Sequence, residues 1–144
     1  MACPFFYPTN RHDGELWPFR RRLPLGDGFY GHCTAPGHEG SIPDEGSVRD
    51  SCNLGYANCP RLPQERAADA VHFSVASDRD GIISLRWVVV KNHAAADFGK
   101  LDFERVAFAW RTPHPNPTLQ RMAQCYLESY LTRRGELQPS GASQ

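Results

Sequence analysis

Apolar and polar positions alternate through much of the second half of the chain. Apolar residues fill the odd positions from Val71 to Val75 and again from Ile83 to Val89. The run Asp78-Arg79-Asp80-Gly81 separates the two stretches and has the composition of a tight turn. A period of two on either side of such a turn is typical of half-buried strands. The pattern therefore predicts a β-hairpin.

A third apolar segment, from Leu101 to Trp110, changes parity along its length. Leu101 and Phe103 share one parity, whereas Val106, Phe108 and Trp110 share the other. Because successive side chains of a strand point to opposite faces, both sets can face one core only if the strand is interrupted. We expect a bulge or tight turn near Glu104-Arg105.

The clearest helix signal follows this segment. Asn116 is a suitable N-cap and Pro117 fits the first turn, and the helical period then runs to Gly135. The apolar positions of this period are Leu119, Met122, Ala123, Tyr126, Leu127, Tyr130 and Leu131. We expect this helix to cover one face of the sheet.

Glycine and proline recur every few residues up to residue 66, which favours turns over long regular elements. The aromatic residues of this half argue against disorder, so something other than a hydrophobic core should restrain it. The predicted fold class is α+β in a single domain, 1–144. It combines an irregular Cys/Gly/Pro-rich half (1–66) with a small antiparallel sheet of about three strands and one packed C-terminal amphipathic helix (67–135), followed by a frayed tail (136–144).

The five cysteines divide into four and one. Cys3, Cys33, Cys52 and Cys59 lie in the irregular half. Cys125 lies on the predicted helix, away from its apolar stripe, and is expected to be a free, partly buried thiol. The four could be separately buried small residues, since free cysteine is often buried. Alternatively they form one four-thiolate site, whose binding energy would restrain the first half.

The spacing of the four cysteines bears on which metal they would bind. Structural zinc sites usually draw paired ligands from knuckles of two to four residues, whereas 29, 18 and 6 residues intervene here. Cys3-Pro4 and Cys59-Pro60 match the cysteine–proline pair of the bacterial ferredoxin run. Gly55 permits a turn that would bring Cys59 back toward Cys52. We therefore predict a [4Fe-4S] cluster, with zinc as the alternative.

Several segments together resemble a known group of proteins. They are MACPFF near the start, RLPLGD, CNLGYANCP followed by RLP, and PHPNPTLQRMAQCYLESYL near the end. The chain is similar over most of its length to small uncharacterised bacterial cysteine-cluster proteins of iron-sulfur type. The resemblance implies a single domain and implies no activity.

Other sequence signals narrow the function classes. Sixteen basic and sixteen acidic residues cancel, and the run Arg20-Arg21-Arg22 is the sole basic cluster, which argues against nucleic-acid binding. The N-terminus lacks a secretion leader and no window has membrane-spanning length, so we expect a cytoplasmic protein without a membrane partner. Gly26 to Gly31 matches G-x-G-x-x-G without the flanking strand and helix, so these glycines should form turns that deliver Cys33.

The leading functional hypothesis is a small iron-sulfur protein for electron transfer, sensing or structural restraint. It would act with an unidentified protein or redox partner. A zinc-stabilised protein-interaction module would use the same ligands, and a cysteine-dependent enzyme would need one thiol of low pKa. No catalytic residue is predicted. His12, His32 or His38 could replace a cysteine ligand, although a loop histidine is the commoner situation for each.

Overall fold

The computed structural model describes residues 1–12, 22–53, 59–66 and 68–136. The strands are β1 (Phe6–Arg11), β2 (Phe29–Cys33), β3 (Ala70–Arg79), β4 (Ile82–Lys91), β5 (Ala94–Glu104) and β6 (Ala109–Trp110). Helix α1 (Glu45–Ser47) continues into a π-helical turn (Val48–Cys52), and α2 (Pro117–Arg133) is the long helix. The predicted turn at Gly55, most of the arginine run and the predicted tail beyond Glu136 lie outside the described residues.

The described residues form two antiparallel sheets. Strands β1 and β2 pair with each other, and the second sheet has the order β3-β4-β5-β6. The expectation of one sheet of about three strands in an α+β fold is therefore wrong, because the protein is mostly β with two sheets of two and four strands. The glycine- and proline-rich half is also less irregular than expected. Its strands are short and β1 carries a register shift between Pro8 and Asn10, so no periodic signal stood out.

The predicted hairpin is confirmed as β3 and β4. Asp80 and Gly81 connect them with φ of 57° and 77°, the left-handed pair of a two-residue hairpin turn. A second such turn was missed by the sequence analysis. Asn92 and His93, at φ 52° and 62°, start β5 at Ala94 rather than near Leu101. The alanine-rich beginning of β5 has low strand propensity, which explains the omission.

The chain turns between β5 and β6, at residues 105–108, near the predicted break. The inward orientation expected for the residues after it is wrong for two of them. Val106 and Phe108 are 99% and 55% exposed, and only Trp110 returns to pack against the core. Val106 and Phe108 lie in the turn itself, so the alternation of inward and outward side chains along a strand does not apply to them.

Helix α2 has the predicted bounds and N-cap, with the Asn116 side chain accepting the amides of Thr118 and Leu119. Its buried face is wider than the predicted stripe because the helix contacts β1 as well as the large sheet. Cys125 lies on this extra face and is 1% exposed, which corrects the expectation of a partly buried thiol. Arg121 fastens the helix to β1 by donating from Nε to the Pro8 carbonyl at 2.6 Å.

The two parts of the chain share one core. Ala2 pairs with Val71 through reciprocal backbone hydrogen bonds of 3.0 and 2.9 Å, which joins the N-terminus to β3. One cluster of buried residues contains Cys3, Cys52 and Cys125 together with side chains from β3, β4 and α2. Within the described ranges, no helix combines the length and the apolar character needed to cross a bilayer.

Candidate cysteine site

Cys3 lies immediately before β1 and is buried. Its amide donates to the carbonyl oxygen of Cys52 at 3.1 Å, and its own carbonyl accepts the amide of Phe6 at 3.2 Å. The backbone amides of Phe5 and Phe6 also hydrogen-bond in a way that lowers the pKa of the Cys3 thiol. These two amides therefore favour the thiolate form of Cys3.

Cys33 ends β2 and lies opposite Phe6 of β1 in the strand register. The loop after it folds back, so that the Gly40 amide donates to the Cys33 carbonyl at 2.9 Å. The amide of Ala35 donates to Cys33 Sγ at 3.3 Å. The Cys33 thiol is buried and accepts one backbone hydrogen bond.

Cys52 ends the π-helical turn that follows α1. Its neighbour Asn53 is buried, and the Asn53 amide group makes three hydrogen bonds to backbone. Oδ1 accepts the Phe29 amide at 3.1 Å, while Nδ2 donates to the carbonyls of Phe29 at 3.0 Å and Val48 at 2.9 Å. Asn53 therefore fixes the segment carrying Cys52 against the start of the strand carrying Cys33.

Cys59 begins the described segment 59–66 and is half-buried. Its carbonyl accepts the amide of Leu62 at 3.2 Å, which forms a turn after Pro60. Its thiol is close enough to Cys3 and Cys52 to act on the ionisation of both.

Neighbouring thiols act on the ionisation of Cys3 and Cys52. The pKa of Cys3 is raised to about 11, chiefly by burial and in smaller part by the charges of Cys59 and Cys33. The pKa of Cys52 is raised to about 12, chiefly by burial, with smaller contributions from the charges of Cys3, Cys59 and Cys33 that the positive charge of Arg61 partly offsets. Like charges disfavour each other's ionised form over short distances, so Cys33 and Cys59 lie close enough to Cys3 and Cys52 to act on their ionisation.

Cys125 differs from this group, although it belongs to the same buried cluster. Its pKa is raised to about 12 by burial, and the charges that act on it are those of Arg121 and Glu128 rather than those of the other thiols. The charges that act on Cys125 therefore differ from those that act on Cys3 and Cys52.

The three histidines considered as substitute ligands have other surroundings. His12 is buried, stacks on Tyr30 with ring centroids 4.2 Å apart, and has Nε2 3.3 Å from Glu45 Oε1. His32 stacks on Tyr7 at 4.9 Å. The backbone of His38 takes part in the loop after β2, where its amide donates to the Ala35 carbonyl.

Among the residues that the structure describes, no group of three or more His, Cys, Asp and Glu side chains is arranged to hold a metal ion. Bringing the four thiols into coordination would therefore require local closure as well as loss of the thiol protons. Both changes are usual where metal binding is coupled to folding.

Sequence reasoning missed two contributors to this site. Asn53 could have been suspected because an asparagine beside a cysteine can bond to backbone, although its partners are distant in sequence. The Ala35 amide carries no sequence signal, since any non-proline residue supplies one. No protein-family model, curated protein or solved structure was found to match the chain.

Proposed function

We propose that the protein is a small iron-sulfur protein in which Cys3, Cys33, Cys52 and Cys59 ligate one [4Fe-4S] cluster. The cluster would serve electron transfer, sensing or structural restraint. The observation that carries this proposal is that Cys33 and Cys59 lie close enough to both Cys3 and Cys52 to act on the ionisation of these two buried thiols, whereas other charges act on Cys125.

The unfavourable ionisation of the Cys3 and Cys52 thiols supports a metal centre. Cys3 and Cys52 are buried thiols whose ionised forms are disfavoured by burial and by neighbouring thiolates. A bound metal centre supplies the compensating positive charge and deprotonates coordinating thiols outright. Four thiolate ligands are the usual coordination of a [4Fe-4S] cluster.

Backbone amides around the sulfurs support a cluster in particular. Hydrogen bonds to ligand sulfurs are one of the means by which proteins set a cluster's reduction potential. The Ala35 amide donates to Cys33 Sγ, and the amides of Phe5 and Phe6 favour ionised Cys3. Together with the long ligand spacings and the two cysteine–proline pairs, these contacts favour iron-sulfur over zinc.

A cysteine-dependent enzyme has less support. Reactive cysteines have a lowered pKa in an electropositive, partly exposed environment. Cys3, Cys52 and Cys125 have a raised pKa and are buried, which opposes nucleophilic activation of these three. The proposal extends to a reducing, cytoplasmic environment, where an accumulation of cysteines favours metal binding over disulfides, and to a protein redox partner.

The proposal is tested by purifying the protein without oxygen and measuring its metal, sulfide and absorption spectrum. We expect brown protein with iron and acid-labile sulfide in nearly equal amounts and visible absorption that bleaches on reduction. Stoichiometric zinc without visible absorption would replace the cluster with a zinc-stabilised interaction module. If neither metal is present and all five thiols titrate freely, the cysteines are separately buried residues and do not form a metal site.

A further inference from the structure

Cys3 and Cys52 are neighbours in the fold, although 48 residues separate them in the sequence. The Cys3 amide donates to the Cys52 carbonyl oxygen at 3.1 Å. A backbone hydrogen bond of this kind holds two Cα atoms roughly 5–6 Å apart, as between neighbouring strands. Disulfide bonds join residues whose Cα atoms are about 4.4–6.8 Å apart. The backbone therefore already has the separation that a disulfide between Cys3 and Cys52 requires.

The two side chains are buried in the same cluster, at 8% and 7% exposure. After burial, the largest contribution to the raised pKa of Cys52 comes from Cys3, as expected for sulfurs that lie close together. Cys125 belongs to the same cluster, but the charges that act on it come from Arg121 and Glu128. Of the five cysteines, only Cys3 and Cys52 are joined by a direct backbone hydrogen bond.

The backbones on both sides of this pair are fixed by further contacts. Ala2, which precedes Cys3, makes reciprocal backbone hydrogen bonds with Val71. Asn53, which follows Cys52, bonds through its side-chain amide to three backbone groups. Groups that are held in place react more readily than groups that must first be brought together. A bond between the two sulfurs would therefore form with little movement of the chain.

Cys59 gives access to the buried pair from solvent. It is half-buried, whereas Cys3 and Cys52 are buried. Its charge acts on the ionisation of both of these thiols, so it lies beside them. An accessible thiol can react first with an external disulfide and then pass the bond to its neighbours by thiol–disulfide exchange.

We infer that Cys3 and Cys52 form a reversible disulfide, by way of Cys59, when the protein meets a low-molecular-weight disulfide such as oxidised glutathione. The Cys59 sulfur attacks one sulfur of oxidised glutathione, whose S–S bond breaks and releases one glutathione. The Cys52 sulfur then displaces the second glutathione from Cys59, and the Cys3 sulfur displaces Cys59 from Cys52. Two protein thiols are oxidised, one glutathione disulfide is reduced, and two thiol protons pass to the released glutathione.

This disulfide makes the cysteine site sensitive to the redox state of its surroundings. Disulfides in reducing compartments are usually transient and catalytic or redox-sensing. The bond takes two of the four predicted ligands, so it and a four-thiolate metal centre exclude each other. That consequence rests on the proposed function, whereas formation of the bond itself requires no metal.

Disulfide mapping of the full-length protein tests the inference. The protein is freed of metal with a chelator, reduced, and exposed to mixtures of oxidised and reduced glutathione; the remaining thiols are then alkylated before digestion and mass spectrometry. We expect a mass loss of about 2 Da and one linked peptide pair that contains Cys3 and Cys52, both reversed by dithiothreitol. Cys125→Ser should form the same bond at the wild-type rate, and Cys59→Ser should form it roughly 10-fold more slowly.

Four results would overturn the inference. They are no oxidation of the protein, glutathione adducts without a linked peptide pair, a linkage between any other two cysteines, and an equal yield of the Cys3–Cys52 bond in the urea-unfolded chain. A wild-type rate in Cys59→Ser would overturn the route through Cys59. Circular dichroism before and after oxidation shows whether the bond forms in the folded protein. Because the reaction is run without metal, its outcome and that of the iron measurement are read separately.

Discussion

The amide of Cys3 donates a hydrogen bond to the carbonyl oxygen of Cys52 at 3.1 Å, which joins the N-terminal segment to the end of the π-helical turn. π-Helical turns are rare and occur frequently at functional sites. This single contact places two of the four predicted ligands side by side, although they lie far apart in the sequence.

Replacing Cys52 by alanine should loosen the first half of the chain selectively. If cluster binding contributes to the folding of residues 1–66, its loss exposes that half, whereas the second buried cluster, formed by β4, β5 and α2, contains no residue of that half and should persist. Limited proteolysis read by mass spectrometry should show new cleavage within residues 1–66 at a rate at least ~10-fold above wild type, as expected for a local loss of ~1.4 kcal/mol. Equal protection of that half in both proteins would refute the restraint.

Replacing Asn53 by alanine should destabilise the protein by about 2–4 kcal/mol, because the buried Phe29 amide and carbonyl and the Val48 carbonyl lose their side-chain partner. Urea unfolding measures this loss. The matched change Asn10→Ala removes an exposed amide of β1 and should cost less than about 0.5 kcal/mol. Similar losses in the two variants would show that the Asn53 contacts contribute no special stability.

Adding a methyl group at Gly31 should separate the two strands of the small sheet. A Cβ there would lie 2.2 Å from the Tyr7 carbonyl oxygen and 2.9 Å from Pro8 Cα, so the backbone of β1 must move. We expect Gly31→Ala to cost about 1–3 kcal/mol in urea unfolding and to lower the iron content, because Cys33 is on β2, the strand that loses its pairing with β1. Gly46→Ala, whose nearest neighbouring atom is 3.8 Å away, is the control. An unchanged iron content in Gly31→Ala would show that cluster binding does not depend on the pairing of β1 with β2.

The hairpin and α2 were predictable from sequence because their signals are local. The Asp80-Gly81 turn, the Asn116 cap and the 3.6-residue period each act within a few neighbouring positions. The pairing of β1 with β2 and the wide buried face of α2 depend on contacts between distant segments. Cys125 illustrates this, because its burial follows from packing against the N-terminal sheet, which no periodicity within the helix encodes.

The candidate site was predictable in its residue types and unpredictable in its environment. Segregation of four cysteines into one half identified the group, since metal-binding cysteines are recognised by number and spacing. The Asn53 hydrogen bonds and the Ala35 amide at Cys33 arise from the fold around them. Sequence spacing holds no information about such backbone contacts.

Acid should weaken the contact between the hairpin and α2. Hydrogen bonding from Arg105, reinforced by Tyr130, lowers the pKa of Asp78 to about 2, below its ordinary value near 4. Its stabilising contribution is therefore complete above pH 4 and is lost as the pH falls toward 2. In urea unfolding, the stability difference between wild type and Asp78→Asn should be constant from pH 7 to 5 and shrink below pH 4.

The partner residue provides the check on this titration. Tyr130→Phe removes a hydroxyl that donates to Asp78 Oδ2, so the folded-state pKa of Asp78 should rise and the acid loss should begin at higher pH. A difference between wild type and Asp78→Asn that stays constant down to pH 2 would mean that Asp78 titrates alike in the folded and unfolded chains.

The most direct measurement is the iron and sulfide content of five single variants, each replacing one cysteine by alanine and each purified without oxygen. We expect Cys3→Ala, Cys33→Ala, Cys52→Ala and Cys59→Ala to lose most of the iron. Cys125→Ala, which removes a buried thiol that is electrostatically separate, should retain the wild-type amount. Circular dichroism would establish that the variants keep their strands. Equal iron loss in Cys125→Ala, or iron retention in any of the other four, would contradict a cluster held by Cys3, Cys33, Cys52 and Cys59.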